Sequence, residues 1–571
     1  MMQNAEIARA FNQLADLLEI QGANTFRVRA YRSAAQTIEG LSVAIADMLE
    51  REEDLTTLDG IGKDLADKIA TLHRTGSLPA LAEAQQQVPP GLIELTRIDS
   101  LGPKRVKTLY DELGIDSLDA LKQAAREQRI SALSGFGDKT EKKILEEAER
   151  LNQQAGRTRL DEAQQAAEGL RQHIEQCDGV EQVVVAGSYR RRRETVGDLD
   201  ILVVAEEGRR VMAHVAEWEE IERVALSGDT KTTVHLKSGL QVDVRVVPEE
   251  SFGAALYYFT GSQAHNVAVR KMAVARGLKI NEYGVFKGDR QLAGHTEEAV
   301  FAQVELPWIA PELRENRGEI EAAQRGKLPQ LITPDDIRGD LHMHTTATDG
   351  KASLEEMAEA GRRQGYNYIA ITDHSQRLAM ANGLDARRLR EQLTAIDKLN
   401  EQLKRFTVLK SIEVDILEDG QLDLPDDVLA ELDLCVASIH SRFNLDRDRQ
   451  TERLLRAMDN PHVSIIAHPT GRIVNGRDGY ELDMQRVVDG AADRGVCLEI
   501  NAQPARLDLR DIHVRMAKEA GVLISIATDS HATGQLAHMA FGVDQARRGW
   551  LEKDDVLNTR TLTQLRKALK R

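Results

Sequence analysis

The sequence predicts a multidomain protein of the α+β and α/β classes, and three observations predict it. A hydrophobe, a Gly-bearing tripeptide and a new helix recur three times before residue 140. Short apolar runs at 183–186 and 201–204, bounded by polar turns, then read as strands of an α+β region. Beyond residue 336, seven apolar runs alternate with helical segments, the pattern of βα units on a parallel sheet and so of a TIM-like (βα)7 barrel. A chain of 571 residues is too long for one hydrophobic core, and usual domain sizes imply roughly three to five folding units. With 42% hydrophobic and 29% charged residues and no low-complexity tract, the composition is globular rather than disordered.

The elements follow in order. Residues 1–85 read as short amphipathic helices, beginning with Ile7, Phe11, Leu14, Leu17 and Leu18 at the spacing of one buried face. Glu6, Arg9 and Asp16 interrupt that start, so it is not a signal peptide, and no window approaches the roughly 20 apolar residues of a membrane span. The repeats are Leu58-Asp59-Gly60-Ile61-Gly62, Ile98-Asp99-Ser100-Leu101-Gly102 and Leu133-Ser134-Gly135-Phe136-Gly137, the last two in a second helical domain over 86–155. Glycine allows a tight turn between helices and leaves the next helix's first amides unpaired, ready to face an anion. One copy is most simply an αα-turn; three, the second followed by Lys104, Arg105 and Lys107, point to a grip on DNA backbone that reads no bases. These segments resemble helix-hairpin-helix elements, with Ser100 standing where the second copy should have its first glycine.

Strands and helices over 156–248 and 249–318 form the α+β part. Pro307, Pro311, Pro329 and Pro334 among mixed charges mark a connection, set at 319–336, before the last domain at 337–571. Its apolar runs are 337–342, 368–372, 407–414, 432–439, 463–467, 495–500 and 521–528, and nearly all end in His, Asp or Glu, as at the mouth of a barrel. Cys177, Cys435 and Cys497 have no pair spacing, which suits a reducing, cytoplasmic compartment. Net charge is −17, and the first 150 residues hold 19 Lys and Arg against 25 Asp and Glu, so composition alone speaks against nucleic acid. A local basic strip can still hold phosphates, because fields in physiological salt are screened over about 8 Å.

The segment Gly187-Ser188-Tyr189-Arg190-Arg191-Arg192-Arg193-Glu194-Thr195-Val196-Gly197-Asp198-Leu199-Asp200 is the most informative in the chain. Asp198 and Asp200, two apart on a strand, share a face and meet at about 5–7 Å, where repulsion favours an intervening cation. Asp243, mid-strand in Leu240-Gln241-Val242-Asp243-Val244-Arg245-Val246, completes a two-metal site in this reading. Such ions lower the pKa of an attacking hydroxyl and neutralise a triphosphate, with Gly187, Ser188 and the arginines as its cradle. The plainer alternative is a charged turn beside an edge strand, with Asp243 satisfied by Arg245 or a neighbour.

On these motifs, residues 1 to about 315 resemble a family X DNA polymerase of the DNA polymerase beta type, with a nucleotidyltransferase palm at 156–248 and a nucleotide-selecting thumb at 249–318. The resemblance implies that Asp198, Asp200 and Asp243 bind Mg²⁺ or Mn²⁺, and that Ser188, Arg191 and Gly197 contact nucleotide phosphates. It further implies that Tyr258, Phe259 and Gly261, with Asn266 and Arg270, line the pocket for the dNTP. Gln263 and Gln241 depart from the family pattern, where an acid and an arginine stand. Lys68 falls where the family carries a Schiff-base lysine for 5′-deoxyribose phosphate removal, with Phe26 and Asp64 at two of the supporting basic positions.

Nine of the fifteen histidines lie beyond residue 341. His342 and His344 are i and i+2 on a strand and can grip one cation; Asp349, His374, Glu413, His440, His468, Asp529 and His531 follow. Alone, each histidine reads as a hydrogen-bonded core residue; converging with three carboxylates, they read as ligands. Nitrogen and oxygen donors without cysteine suit Mn²⁺, Zn²⁺ or Fe²⁺, which generate hydroxide for phosphoester hydrolysis. This domain resembles the polymerase and histidinol phosphatase (PHP) superfamily, whose three-metal ligand pattern these nine residues fill. Together the halves resemble the bacterial arrangement of family X polymerases. The expectation is a cytoplasmic, nucleoid-associated monomer that fills gaps or extends 3′-recessed DNA with dNTPs and trims 3′ ends by exonuclease or phosphatase action. Its rivals are a small-molecule phosphatase tethered to DNA and a non-catalytic clamp on broken ends.

Overall fold

A computed structural model describes residues 4–21, 23–40, 45–50, 53–58, 60–75, 78–81, 84, 92, 95, 98, 101, 103–133, 135–153 and 157–569. The chain divides into two compact units, Met1–Arg157 and Thr158–Arg571. No helix among the described residues is long and apolar enough to cross a membrane.

The first unit is helical, with Asn4–Ile20, Thr25–Gly40, Lys63–Thr75, Pro103–Leu113, Leu118–Arg126 and Asp138–Gln153 as its longer helices. Ile7, Phe11, Leu14, Leu17 and Leu18 face inward as their spacing requires, in a core shared with Ile61, Ile69, Val106, Leu109, Phe136 and Ile144. The three glycine-bearing repeats close the same main-chain hydrogen bond between residues three apart. Ile61 donates its amide to Leu58 O at 3.1 Å, Leu101 to Ile98 O at 2.8 Å and Phe136 to Leu133 O at 3.1 Å. Gly60 and Gly135 occupy the left-handed region at φ 75° and 85°, where a side chain is strained.

The second unit begins with the helix Leu160–Glu175, which leads into a five-stranded sheet. Its strands are β1 (Val180–Val185), β2 (Asp198–Ala205), β3 (Ile221–Ser227), β4 (Lys231–Leu236) and β5 (Gln241–Val246), in the order β1-β2-β5-β4-β3. On β2, Leu199, Ile201 and Val203 enter one core while Leu202 and Val204 join Phe252, Ala255 and Leu256 on the opposite face. The period of two therefore puts Asp198 and Asp200 on the face of Leu202, towards the helix Phe252–Thr260. On β5 the chain neighbours of Asp243, Val242 and Val244, lie in the first core, so Asp243 shares the face of the other two acids. The helix Gln263–Ala275, a small antiparallel sheet of β6 (Lys279–Asn281), β7 (Gly284–Lys287) and β8 (Arg290–Ala293), and the helix Glu297–Ala302 follow.

The expected connection at 319–336 is built into the fold rather than being a bare link. It opens with the helix Glu319–Gln324, and fully buried Glu319 meets His265 Nδ1 at 2.7 Å. The last region carries parallel strands β9 (Gly339–Asp340), β10 (Tyr368–Ile371), β11 (Thr407–Lys410), β12 (Glu413–Asp415), β13 (Val436–Ser438), β14 (Ile465–Ile466), β15 (Cys497–Asn501) and β16 (Ile524–Ala527). They form sheets of three and five joined by parallel bridges His374–Glu413 and Met343–Ser530, which close the ring. The run read as one strand at 407–414 is two, β11 and β12. At this seam β11 pairs with β10, whereas Glu413 exchanges main-chain bonds with Asp373 and Ser375.

Candidate active sites

The first candidate site is on the five-stranded sheet. Strands β2 and β5 run parallel and adjacent, with Asp200 directly opposite Asp243 and Asp198 opposite Gln241. Burial and the charges of Asp198 and Asp243 push the Asp200 carboxyl up to about 7. The three acids predicted to meet do share one face, and their mutual repulsion suits a divalent cation. Gly187 has φ 64°, and a Cβ there would stand 2.8 Å from Asp200 Oδ2, so only glycine lets the turn after β1 lie against that carboxylate. Asp243 is also bound by protein groups, accepting from Thr233 Oγ1 at 2.6 Å and pairing with Lys231 Nζ at 3.1 Å and Arg245 Nη2 at 3.2 Å. The alternative reading of Asp243, satisfaction by Arg245 or a neighbour, is thus present together with the clustering of acids. A cation taking this carboxylate must compete with Lys231 and Arg245.

Beside the acids, Gly197 is an exposed bend immediately before Asp198, and the Ser188 hydroxyl oxygen is buried without a hydrogen-bond partner, as a phosphate contact would leave it. The arginines expected to cradle a triphosphate are each held by acids. Arg190 pairs with Glu297 at 2.8 Å and donates to Thr260 Oγ1 at 2.7 Å, Arg191 pairs with Glu315 at 3.1 Å, Arg192 with Asp544 at 3.5 Å and Arg193 with Glu315 at 3.6 Å. The Arg191 guanidinium also donates to Thr260 O, next to Gly261, whose φ is 67°. Asn266 Nδ2 donates to Tyr258 O at 2.7 Å, Arg270 donates to Asn266 O at 3.3 Å, and Arg245 lies 4.5 Å from the centre of the Phe259 ring. Hydrogen bonds thus link Tyr258, Asn266 and Arg270, and Phe259 reaches the acid-bearing sheet through Arg245.

In the first unit, Gly62 and Gly137 precede the helices Lys63–Thr75 and Asp138–Gln153, and a Cβ at either would meet nothing within 4 Å. Gly60 and Gly135 form the turns before them. Gly102 lies outside the described residues, and Lys104 is described only as part of the helix Pro103–Leu113. Lys68 Nζ pairs with Asp64 at 2.5 Å and stands 5.9 Å from the centre of the Tyr31 ring, so an acid and an aromatic face surround it.

The second candidate site lies at the barrel mouth, and the structure brings all nine predicted ligands together. His344, Asp349, His374 and His531 form one group, His342, His344 and Asp529 a second, and His374, Glu413 and His440 a third, with each group's ligand atoms within 4.8 Å of one another. His468 Nε2 adds to the third at 3.0 Å from Glu413 Oε1. His344 Nδ1 and His468 Nδ1 are buried without hydrogen-bond partners, and buried Glu413 Oε2 faces His374 Nδ1 at 2.8 Å and His342 Nε2 at 3.5 Å. Orphaned donors of this kind, all nitrogen or oxygen, fit a cluster of cations.

Electrostatics agree. Burial opposes charge on His374, yet Glu413 and Asp349 raise it to about 10, and Glu413 and Asp415 likewise raise buried His440 to about 9. His342 is raised well above its usual value against burial by Glu499, Glu413 and Asp529. His344, buried beside His374 and His531, falls to about 4. Burial opposes ionisation of Glu413 and Asp529, but their histidine neighbours hold both well below the carboxylate range.

Sequence reasoning missed the residues that aim these ligands. Glu499 Oε1 lies 2.7 Å from His342 Nδ1 and its Oε2 accepts the His468 amide at 2.7 Å; Asp415 lies 3.1 Å from His440 Nδ1; Asn501 Nδ2 donates to Asp529 at 3.0 Å. Their only signal in the sequence is an acid or amide set in an apolar strand run, which does not separate a group that aims a ligand from one that binds a cation.

Five family models match the chain: a helix-hairpin-helix domain at 2–78, a SAM-like helix-hairpin-helix tandem at 92–150, the DNA polymerase beta palm at 157–247, the DNA polymerase beta thumb at 255–315 and a PHP domain at 340–503. The DNA polymerase/3′-5′ exonuclease PolX of Bacillus subtilis (strain 168) is 41% identical over 574 residues, covering all of both chains. A probable phosphatase of Thermoanaerobacter sp. (strain X514) is 28% identical over 231 residues, 38% of this chain and 89% of its own. One from Caldanaerobacter subterraneus subsp. tengcongensis is 30% identical over 203 residues, 34% of this chain and 75% of its own.

Proposed function

The chain belongs to the PolX family of bacterial DNA polymerases, and from that membership we propose that it fills short DNA gaps at the acidic sheet and processes 3′ ends at the histidine-lined barrel. It is a DNA polymerase with 3′-5′ exonuclease activity. The observation that carries the assignment of chemistry to residues is the co-facing of Asp198, Asp200 and Asp243 on adjacent strands of the palm.

In this reading Asp198, Asp200 and Asp243 hold Mg²⁺ or Mn²⁺, which supplies charge neutralisation and an acidified 3′-hydroxyl when bound. Ser188, Arg191 and the Gly197 backbone take the triphosphate of the dNTP, Tyr258 and Phe259 crowd the sugar, and Asn266 and Arg270 back the base. Gly60, Gly62, Gly135 and Gly137 offer helix-start amides to DNA phosphates, with Gly102 and Lys104 as their counterparts in the second hairpin. At the barrel, His342, His344, Asp349, His374, Glu413, His440, His468, Asp529 and His531 would hold Mn²⁺, Zn²⁺ or Fe²⁺, which would supply Lewis acidity and an acidified water for phosphoester hydrolysis. The working form is a monomer acting on gapped or 3′-recessed chromosomal DNA in the cytoplasm. Lys68 would supply the amine for 5′-deoxyribose phosphate removal, which requires its pairing with Asp64 to open first.

A gapped duplex with a labelled 3′ end and a metal series reads both activities at once. Asp198→Ala with Asp200→Ala abolishes nucleotide addition and spares hydrolysis, whereas His342→Ala with His344→Ala does the reverse. Loss of both activities in either double variant refutes two independent sites.

A further inference from the structure

The stretch that follows the phosphate-binding turn is fastened to the barrel residue by residue. Arg192 meets Asp544 at 3.5 Å, and Glu194 meets Arg472 at 2.7 Å. Arg548, at the end of the barrel helix Met539–Arg548, reaches deepest. Its Nη1 donates to the main-chain oxygen of Arg191 at 2.7 Å and to Glu315 at 3.0 Å, and its Nη2 to Asp511 at 2.6 Å. The same Glu315 carries Arg191 and Arg193, and the same Asp511 carries Arg317 at 3.0 Å.

These groups are expensive to bury. The side chains of Arg548 and Glu315 are 3% and 6% exposed, so each guanidinium is tolerable only because carboxylates answer it. Such networks contribute little net stability but fix geometry, because removing one member strands another. What they fix here is the position of a backbone. Arg548 holds the carbonyl of Arg191, one residue past the short helix Gly187–Arg190 that carries Ser188. Arg472 holds the far end at Glu194 and is itself anchored by donating to Leu507 O. Thr470 and Gly471, between His468 and Arg472, give their amides to Asp508 at 3.0 Å and 2.9 Å, so this anchor is rigid.

We propose that Arg548 and Arg472 of the hydrolytic barrel are positioning residues for the polymerase's nucleotide-phosphate turn, so that the nucleotide site is complete only with the barrel attached. The inference rests on the reading of Ser188 and Arg191 as phosphate contacts.

Steady-state single-nucleotide gap filling by the full chain tests it. Arg548→Gln raises KM for the dNTP by about tenfold, the scale of one lost charge-assisted contact, while kcat and 3′ hydrolysis each stay within about twofold. Arg472→Glu raises the same KM, and adding Glu194→Arg to it restores the value. The swap decides the matter if Arg548→Gln fails to fold. A fall in melting temperature with KM unchanged in the variants that fold overturns the inference, since that is what a merely adhesive contact does, and so does a swap that restores nothing. Arg191→Ala separates the two readings. If it leaves KM unchanged, the phosphate reading itself fails; if it raises KM and the barrel variants do not, only the positioning role is lost.

Discussion

Glu499 holds two barrel ligands at once, His342 through its ring and His468 through its amide. A carboxylate on Nδ1 fixes the ring so that Nε2 faces the cluster and makes that nitrogen a stronger donor. Glu499→Gln is expected to weaken metal retention by about 10–100-fold, read by metal content after titration with a chelator, with nucleotide addition unchanged. Retention equal to that of the parent protein would show that Glu499 aims nothing. The clustering of the nine histidines and carboxylates was legible in the sequence because such groups at the ends of apolar strands are costly to bury singly. Glu499 was not, because a carboxylate that orients a ring and one that binds a cation look alike in a run such as Cys497-Leu498-Glu499-Ile500-Asn501. The arginines after Ser188 were equally visible, but not Glu297, Glu315 and Asp544, which hold them.

Among the elements, the three helical turns were readable because a left-handed backbone position all but demands glycine, and Gly60 and Gly135 have that conformation. The seam at 411–412 was not, because a strand that changes partners keeps the same apolar alternation. The helix Glu297–Ala302 makes a different point. Burial raises the carboxyl of Glu297, but Arg190 and Arg314 more than offset this and bring it down from 4.5 to about 2. A depressed folded-state pKa contributes stability that is present above pH 4.5 and lost as pH falls towards 2, here about 3 kcal/mol in all at 1.36 kcal/mol per unit. Denaturant unfolding at stepped pH should show this loss in the parent protein. Glu297→Gln should be less stable at pH 7 and flatter between pH 4.5 and 2; an equal slope in both proteins would place the acid sensitivity elsewhere.

At the scale of the molecule, the division after Arg157 separates the glycine-bearing turns from both candidate sites. A fragment spanning 158–571 keeps its own cores and is expected to hydrolyse 3′ ends of single strands. It should bind gapped duplex at least about tenfold more weakly at physiological salt and with a shallower salt slope, having lost its phosphate contacts. Anisotropy over a salt series measures both, and an undiminished affinity would deny the turns their role. The order of domains could be read from motifs, since each motif is local. The fastening of palm to barrel could not, because its partners are as far apart as Arg191 and Arg548, 357 positions along the chain, and an arginine in a sequence gives no hint of whom it meets.

That fastening has a consequence for traffic between the two chemistries. With the nucleotide turn and the barrel in one compact unit, the acidic sheet and the histidine cluster are fastened together, so a terminus passes between them by moving against this unit. Ends that fray easily are then expected to reach the histidine cluster soonest, as hydrolysis rates of matched and mismatched 3′ ends would show.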